Sequence, residues 1–318
     1  MSGDRQESLA RSPLAQRVAG IDFQNPILLA SGTADYGETL QGVIDLDALG
    51  GIVTKAVSVE SRHGNPSPRV AEFPGGMINA VGLANPGVEV VKREKLPWLA
   101  AHVHHARVLV NVVGRSVDDF AMVVAELGDV EGVSAFELNV SCPNVKAGGM
   151  EFGADRDVLA TLVNNARRAT TLPLFVKLSP TLANIGDTAR AAVDAGADGI
   201  TVINTIPGLV IDVETQAPRI SFGSGGVSGV GLLPVGVLAT WRVRNAVSVP
   251  IIGVGGVASA DDALQYLVAG ASLVAVGTAA LRDPRAPERI VRDLRQWCAR
   301  HRVAHITDVV GTLQWPTQ

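Results

Sequence analysis

Asn139, Cys142 and Asn144 fall close together in Glu137-Leu138-Asn139-Val140-Ser141-Cys142-Pro143-Asn144-Val145-Lys146. The segment begins as an apolar run and ends in a polar turn around one of only two cysteines. Pro143 fixes its own φ and removes a backbone N–H, so the thiol is held in a stiff turn. The flanking amides can read a planar polar ligand, because a carboxamide both donates and accepts. A cysteine after an apolar run is commonly an inert small hydrophobe. A reactive one needs an exposed, electropositive setting, and the rest of the chain favours that second reading.

Two of the five lysines, Lys55 and Lys177, lie inside apolar runs. A lysine there needs a partner anion or a lowered pKa. A single one would be read as snorkelling to solvent; two on the same face point to a site. Asn111, Asn139 and Asn204 also end apolar runs. A lone Asn in such a place is an ordinary turn-former, but three amides with two ammoniums suit a polar, partly anionic, planar ligand. Ile252-Gly253-Val254-Gly255-Gly256 and Val276-Gly277-Thr278 add bare backbone N–H groups at the ends of the last two runs. Those are the usual phosphate-binding positions of a (β/α)8 barrel.

The elements that position these residues are short β-branched or apolar runs at 27–31, 51–57, 107–113, 135–142, 174–179, 199–205, 250–256 and 273–279. Helical patterns lie between them. Residues 187–196 are Ala-rich and stop at a glycine, and residues 260–269 follow Ser259 as an N-cap and run to Gly270. Eight strands alternating with helices predict a parallel sheet closed as a TIM barrel, an α/β fold. An open doubly wound sheet would need a glycine-rich dinucleotide turn after the first strand, and Ser31-Gly32-Thr33-Ala34 does not supply it. Ser31, Lys55, Asn111, Asn139, Cys142, Lys177, Asn204, Thr205, Gly255, Gly256, Gly277 and Thr278 then gather at the C-terminal strand ends, where barrel chemistry resides. Two connections, residues 58–87 after strand two and 206–231 after strand six, are too long for simple crossovers. They are expected to be insertions walling one pocket. Residues 18–23 read as an N-terminal hairpin plugging the barrel bottom. Residues 1–16 read as a flexible tail and 17–318 as a single barrel domain.

Composition limits the alternatives. The chain has 318 residues, is 47% hydrophobic and only 18% charged, and carries a formal charge of −4. That supports a large core and gives no footprint for nucleic acid. Cys142 and Cys298 can form neither a disulfide framework nor a zinc or iron–sulfur ligand cluster, so no metal site is expected. The N-terminus has no apolar signal core and no run suits a bilayer span, so a soluble cytoplasmic protein is expected.

Taken in order, these segments resemble the class 1 dihydroorotate dehydrogenases, from about Gly20 to about Pro284. Other matching segments are Asn25-Pro26, Ala30-Ser31-Gly32-Thr33, Gly64-Asn65-Pro66-Ser67-Pro68-Arg69 and Asn79-Ala80-Val81-Gly82-Leu83-Ala84-Asn85-Pro86-Gly87. Val176-Lys177-Leu178-Ser179-Pro180, Ala195-Gly196-Ala197-Asp198-Gly199, Ile203-Asn204-Thr205 and Gly225-Gly226-Val227-Ser228-Gly229 match as well. The resemblance implies an FMN-bound barrel that oxidises dihydroorotate to orotate in pyrimidine biosynthesis. It assigns Cys142 as the catalytic base. It makes Lys55, Asn79, Ala80, Val81, Gly82, Leu83, Asn139, Asn204 and Thr205 substrate contacts. FMN contacts would be Ser31, Lys55, Ala56, Asn111, Asn139, Lys177, Ile203, Gly229, Gly255, Gly256, Gly277 and Thr278. Ala56 departs from the glycine usual in the family.

A thiol suits removal of the C5 proton, since its free pKa of about 8.5 is within reach of operating pH. Asn144-Val145-Lys146-Ala147-Gly148-Gly149 resembles the 1B branch. Its homodimeric core joins a subunit carrying FAD and a [2Fe–2S] cluster in a heterotetramer, and NAD accepts the electrons. The fumarate-linked 1A branch is the alternative within the family. Outside it stand a Schiff-base aldolase with Lys55 or Lys177 as nucleophile and a non-catalytic phosphate-ligand binder.

Overall fold

A computed structural model describes residues 12–141, 143–144 and 150–316. Eight parallel strands close into a barrel in sequence order: β1 (Ile27–Leu29), β2 (Gly51–Val53), β3 (Arg107–Val112), β4 (Val133–Asn139), β5 (Leu174–Leu178), β6 (Gly199–Val202), β7 (Ile251–Val254) and β8 (Leu273–Val276). β8 pairs with β1, which closes the ring. All eight predicted runs are present, but every one overshoots at its C-terminal end. The reason is visible at Lys55, whose backbone N–H leaves the ladder for the Asp35 carbonyl 2.8 Å away. Likewise the N–H of Thr205 turns to the Asn204 side chain at 2.8 Å. The polar residues peel off the sheet into the loops above it.

Outer helices cover the barrel. One runs over Ala260–Ala269, with Ser259 and Asp262 forming a reciprocal capping box and Gly270 closing it at φ 116°. Arg156–Ala169 is capped by Asp155, and Ile185–Asp194 by Asn184. Among the described residues, no helix is long and apolar enough to cross a membrane.

The barrel interior is filled from below. Gln16–Val18 and Ile21–Phe23 form the antiparallel hairpin. Its Val18 and Phe23 pack with Leu28, Val53, Leu109, Ala135, Phe175, Ile252 and Leu273, one apolar layer drawn from seven strands. The described residues reach back into the stretch read as a tail. Leu14 is fully buried and the Pro13 carbonyl accepts from Ile306 N–H at 2.7 Å. Leu14 is an apolar anchor in a mostly polar run, which composition averaged over residues 1–16 conceals.

The two insertions form one structure. Val70–Phe73, Gly76–Asn79, Gly225–Ser228 and Ile206–Gly208 build a four-stranded antiparallel sheet in which Gly226 pairs with Asn79. Backbone pairing thus joins two segments far apart in sequence.

Asp47 secures the approach to β3. Its carboxylate accepts from the backbone N–H groups of His104, His105 and Ala106 at 2.7–3.0 Å. Burial alone would raise this carboxyl's pKa, but those three N–H bonds outweigh it and hold it below the usual range. A depressed folded pKa stabilises above the unfolded carboxyl's pKa, and the contribution fades as pH falls through the folded value. Asp47→Ala should therefore lower Tm at neutral pH by an amount equivalent to about 1–3 kcal/mol, and the gap from the parent should narrow in acid. A gap that is constant with pH would mean the carboxylate's charge is not what matters.

Candidate active site

Strand alternation dictates a second layer above the apolar one. Ala135, Glu137 and Asn139 are spaced two apart on β4, so they share a face. Ala135 lies in the barrel-interior cluster, which points Glu137 and Asn139 inward above it. The same spacing lifts Asn111 above Leu109 and Lys177 above Phe175. Register lines these residues up: Asn111 is opposite Glu137, Asn139 opposite Lys177, and Lys177 opposite Thr201. The result is a polar belt across β3, β4, β5 and β6. Asn111, Glu137, Lys177 and Thr201 are all buried.

The belt is internally bonded. Asn111 Nδ2 donates to Glu137 Oε1 at 2.7 Å, and Lys177 Nζ lies 3.6 Å from the same oxygen. One layer up, Asn204 Nδ2 donates to Asn139 Oδ1 at 3.1 Å. The buried atoms Asn111 Oδ1, Ser141 Oγ and Thr201 Oγ1 have no hydrogen-bond partner among the described residues. Buried polar atoms are nearly always satisfied, so three such orphans mark where a polar ligand would complete the set.

Lys55 stands beside the belt, its Nζ 3.2 Å from Asp35 Oδ1. That oxygen receives no hydrogen bond of good geometry, so the contact is a close charge pair. Asp35 adopts φ 51°, a region few residues other than glycine enter. Ser31 Oγ donates to the Thr54 carbonyl at 2.9 Å, and the Ala56 carbonyl accepts from Tyr36 at 3.3 Å. The side chain at position 56 is buried, so the alanine is accommodated.

The insertion sheet supplies the wall. Asn79 Nδ2 donates to the Gly226 carbonyl at 3.1 Å, which ties its amide to the other insertion. Ala80 and Val81 are held by Asn65, whose side chain donates to the Ala80 carbonyl at 3.0 Å and whose N–H donates to Val81 at 3.1 Å. Gly82 and Leu83 follow at φ 71° and 58°.

At the far side, Ile203 N–H donates to Val254 at 2.9 Å, joining the ends of β6 and β7. The Gly255 carbonyl accepts from Tyr266 at 2.7 Å. Gly256 has φ 75°, and a Cβ there would lie 2.4 Å from Leu233 N, so only glycine fits. A Cβ on Gly229 would lie 2.5 Å from Gly76 Cα. Gly277 differs: a Cβ there would meet Ala30 Cβ at 3.6 Å, an ordinary contact distance, so the position is not sterically closed to a side chain. Thr278 Oγ1 donates to Ser228 Oγ at 2.8 Å, so the end of β8 also touches the insertion sheet.

The expected site residues thus gather at one end of the barrel, except Cys142, which lies outside the described residues, as do Val145 and Lys146 of its turn. Two acids were not singled out from the sequence. Glu137 was legible as the single charged residue of β4, at the same alternation as Asn139. Asp35 sits in a loop and carried no local signal.

Residues 13–297 match the family described as "Dihydroorotate dehydrogenase". The chain belongs to this family. "Dihydroorotate dehydrogenase B (NAD(+)), catalytic subunit" of Pelobacter propionicus is 42% identical over 297 residues, covering 93% of this chain and 97% of that protein. The Desulforudis audaxviator protein of the same name is 45% identical, covering 93% and 96%. "Putative dihydroorotate dehydrogenase A (fumarate)" of Solibacter usitatus is 46% identical, covering 95% and 99%. Membership of the dihydroorotate dehydrogenase family displaces the aldolase and ligand-binder readings.

Proposed function

We propose that this chain is the FMN-dependent catalytic subunit of a class 1B dihydroorotate dehydrogenase, oxidising dihydroorotate to orotate in de novo pyrimidine synthesis. The observation that carries the reading is the belt of Asn111, Glu137, Asn139, Lys177 and Thr201 on the apolar plug, with orphaned acceptors among its members. Its donors and acceptors fit a flavin ring, and the glycine-rich backbone at the ends of β7 and β8 suits a phosphate. Ser31, Lys55, Ala56, Asn111, Asn139, Lys177, Ile203, Gly229, Gly255, Gly256, Gly277 and Thr278 would hold the cofactor. Bound FMN supplies the acceptor for the hydride leaving C6 of dihydroorotate.

The protein's own work is binding and proton transfer. Asn79, Asn139, Asn204 and Thr205 hold the pyrimidine ring, with Lys55 supplying positive charge and residues 80–83 the wall. Cys142 takes the C5 proton. Residues 17–318 act as one domain in the cytoplasm. For the subclass, the Asn144-Val145-Lys146 sequence favours the 1B assembly, a homodimeric core with an FAD/[2Fe–2S] subunit. Relatives bear both B and A names, so acceptor chemistry decides.

Purified protein should be yellow, and dihydroorotate should bleach it without oxygen. A colourless protein that cannot be reconstituted with FMN would refute the reading. The chain alone should reduce dyes but not NAD, gaining NAD activity with the partner. Efficient fumarate reduction by the chain alone would place it in the 1A branch. Asn204→Ala removes the donor to Asn139, and Asn139→Ala removes the acceptor. Each should weaken orotate binding at least about tenfold, from ~1–3 kcal/mol per unsatisfied group. Unchanged flavin-monitored orotate titrations in both variants would move the ring elsewhere.

A further inference from the structure

We infer that Glu137 is a positioning residue that restrains the positive field of Lys177 and so holds down the reduction potential of the bound flavin; the inference rests on the flavin-dependent reading above. Glu137 is 1% exposed, and its Oε1 is the shared neighbour of Asn111 and Lys177. A carboxylate only accepts. Asn111 must therefore present its NH2 group to Glu137, leaving Oδ1 as an acceptor for something else, and that oxygen is the buried orphan. Lys177 Nζ, at 3.6 Å, is beyond ordinary hydrogen-bond reach of Glu137. The carboxylate balances its charge without consuming its N–H donors. The belt thus offers one acceptor and one cationic donor, matching a ring edge that carries an N–H beside a carbonyl.

The electrostatic consequence follows from the same geometry. Charge beside a flavin ring is one of the protein's levers on its electronics. Lys177 alone favours the electron-rich reduced form. A carboxylate beside that ammonium, in a dry interior where screening is weak, cancels much of the effect. A flavin that must pass its electrons onward benefits from that restraint.

The test is the midpoint potential of FMN in the purified holoenzyme, read spectrophotometrically against reference dyes. Glu137→Gln keeps the shape and an acceptor for Asn111 but removes the charge; the potential should shift upward. Lys177→Gln should shift it downward. The double variant should return toward the parent value, because it is neutral at both positions. Removing both members of a buried pair is better tolerated than removing one. If E137Q does not fold, the comparison of K177Q with the double variant reads the same quantity. A purely structural ion pair would change thermal stability and leave the potential in place. A potential in E137Q at or below the parent value, or a double variant no higher than K177Q, would overturn the inference. Those results are distinct from failure of the functional reading, in which the protein holds no FMN or dihydroorotate does not reduce it.

Discussion

Replacing Cys142 with alanine is expected to leave FMN bound and to slow flavin reduction by dihydroorotate about 10²–10⁴-fold, the usual share of a positioned base. That range corresponds to about 3–5 kcal/mol of transition-state stabilisation. The argument begins at Asn139, the last residue of β4, whose amide is engaged by Asn204. Cys142 follows three residues on in the sequence. Cofactor contacts assigned to Lys177, Asn111 and the glycine strand ends do not involve the thiol, so binding should survive its loss. Reduction by the parent protein should accelerate as pH rises through the thiol's pKa, because only the thiolate accepts the C5 proton. Anaerobic stopped-flow spectroscopy reads both effects, and an alanine variant reduced at the parent rate would assign proton abstraction to another group.

The second large effect concerns stability. Phe23 is 1% exposed and fills the barrel from the hairpin, against residues of seven different strands. Phe23→Ala should cost about 3–5 kcal/mol, the range for deleting a buried aromatic, because closed strands cannot move inward to fill the void. For a chain of this size the loss corresponds to roughly 5–8 °C in Tm. Phe23→Leu should cost well under half as much. The polar belt lies on the layer above, so the orotate affinity of the folded fraction should change little. A calorimetric scan in which Phe23→Ala melts with the parent would show that the hairpin is not a structural plug.

How far the sequence foretold these features depends on how local each one is. The barrel was legible because each strand declares itself in three to seven adjacent residues. The strand ends were overrun because β-branched runs continue into loops, and only tertiary bonds such as Lys55 N–H to Asp35 reveal where the ladder stops. Lys55 and Lys177 stood out as charges in apolar surroundings. Their partners divided: Glu137 shares that signature, whereas nothing around Asp35 announces a lysine twenty residues later. The insertions could be assigned to one face from their length, but not their mutual pairing. The register of Val227 against Ile78 and Ser228 against Met77 is written in backbone geometry.

That shared sheet bears on how the pocket could be altered. Loops above a barrel are usually treated as interchangeable modules, each grafted onto its own pair of strand ends. Here the segment after β2 and the segment after β6 are two halves of a single fabric, stitched by Gly226 to Asn79 and by Ser228 to Met77. A chimaera that imports residues 58–87 from a relative without residues 206–231 would bring a seam cut for different cloth. A transplant that keeps the pairing intact therefore moves both segments together.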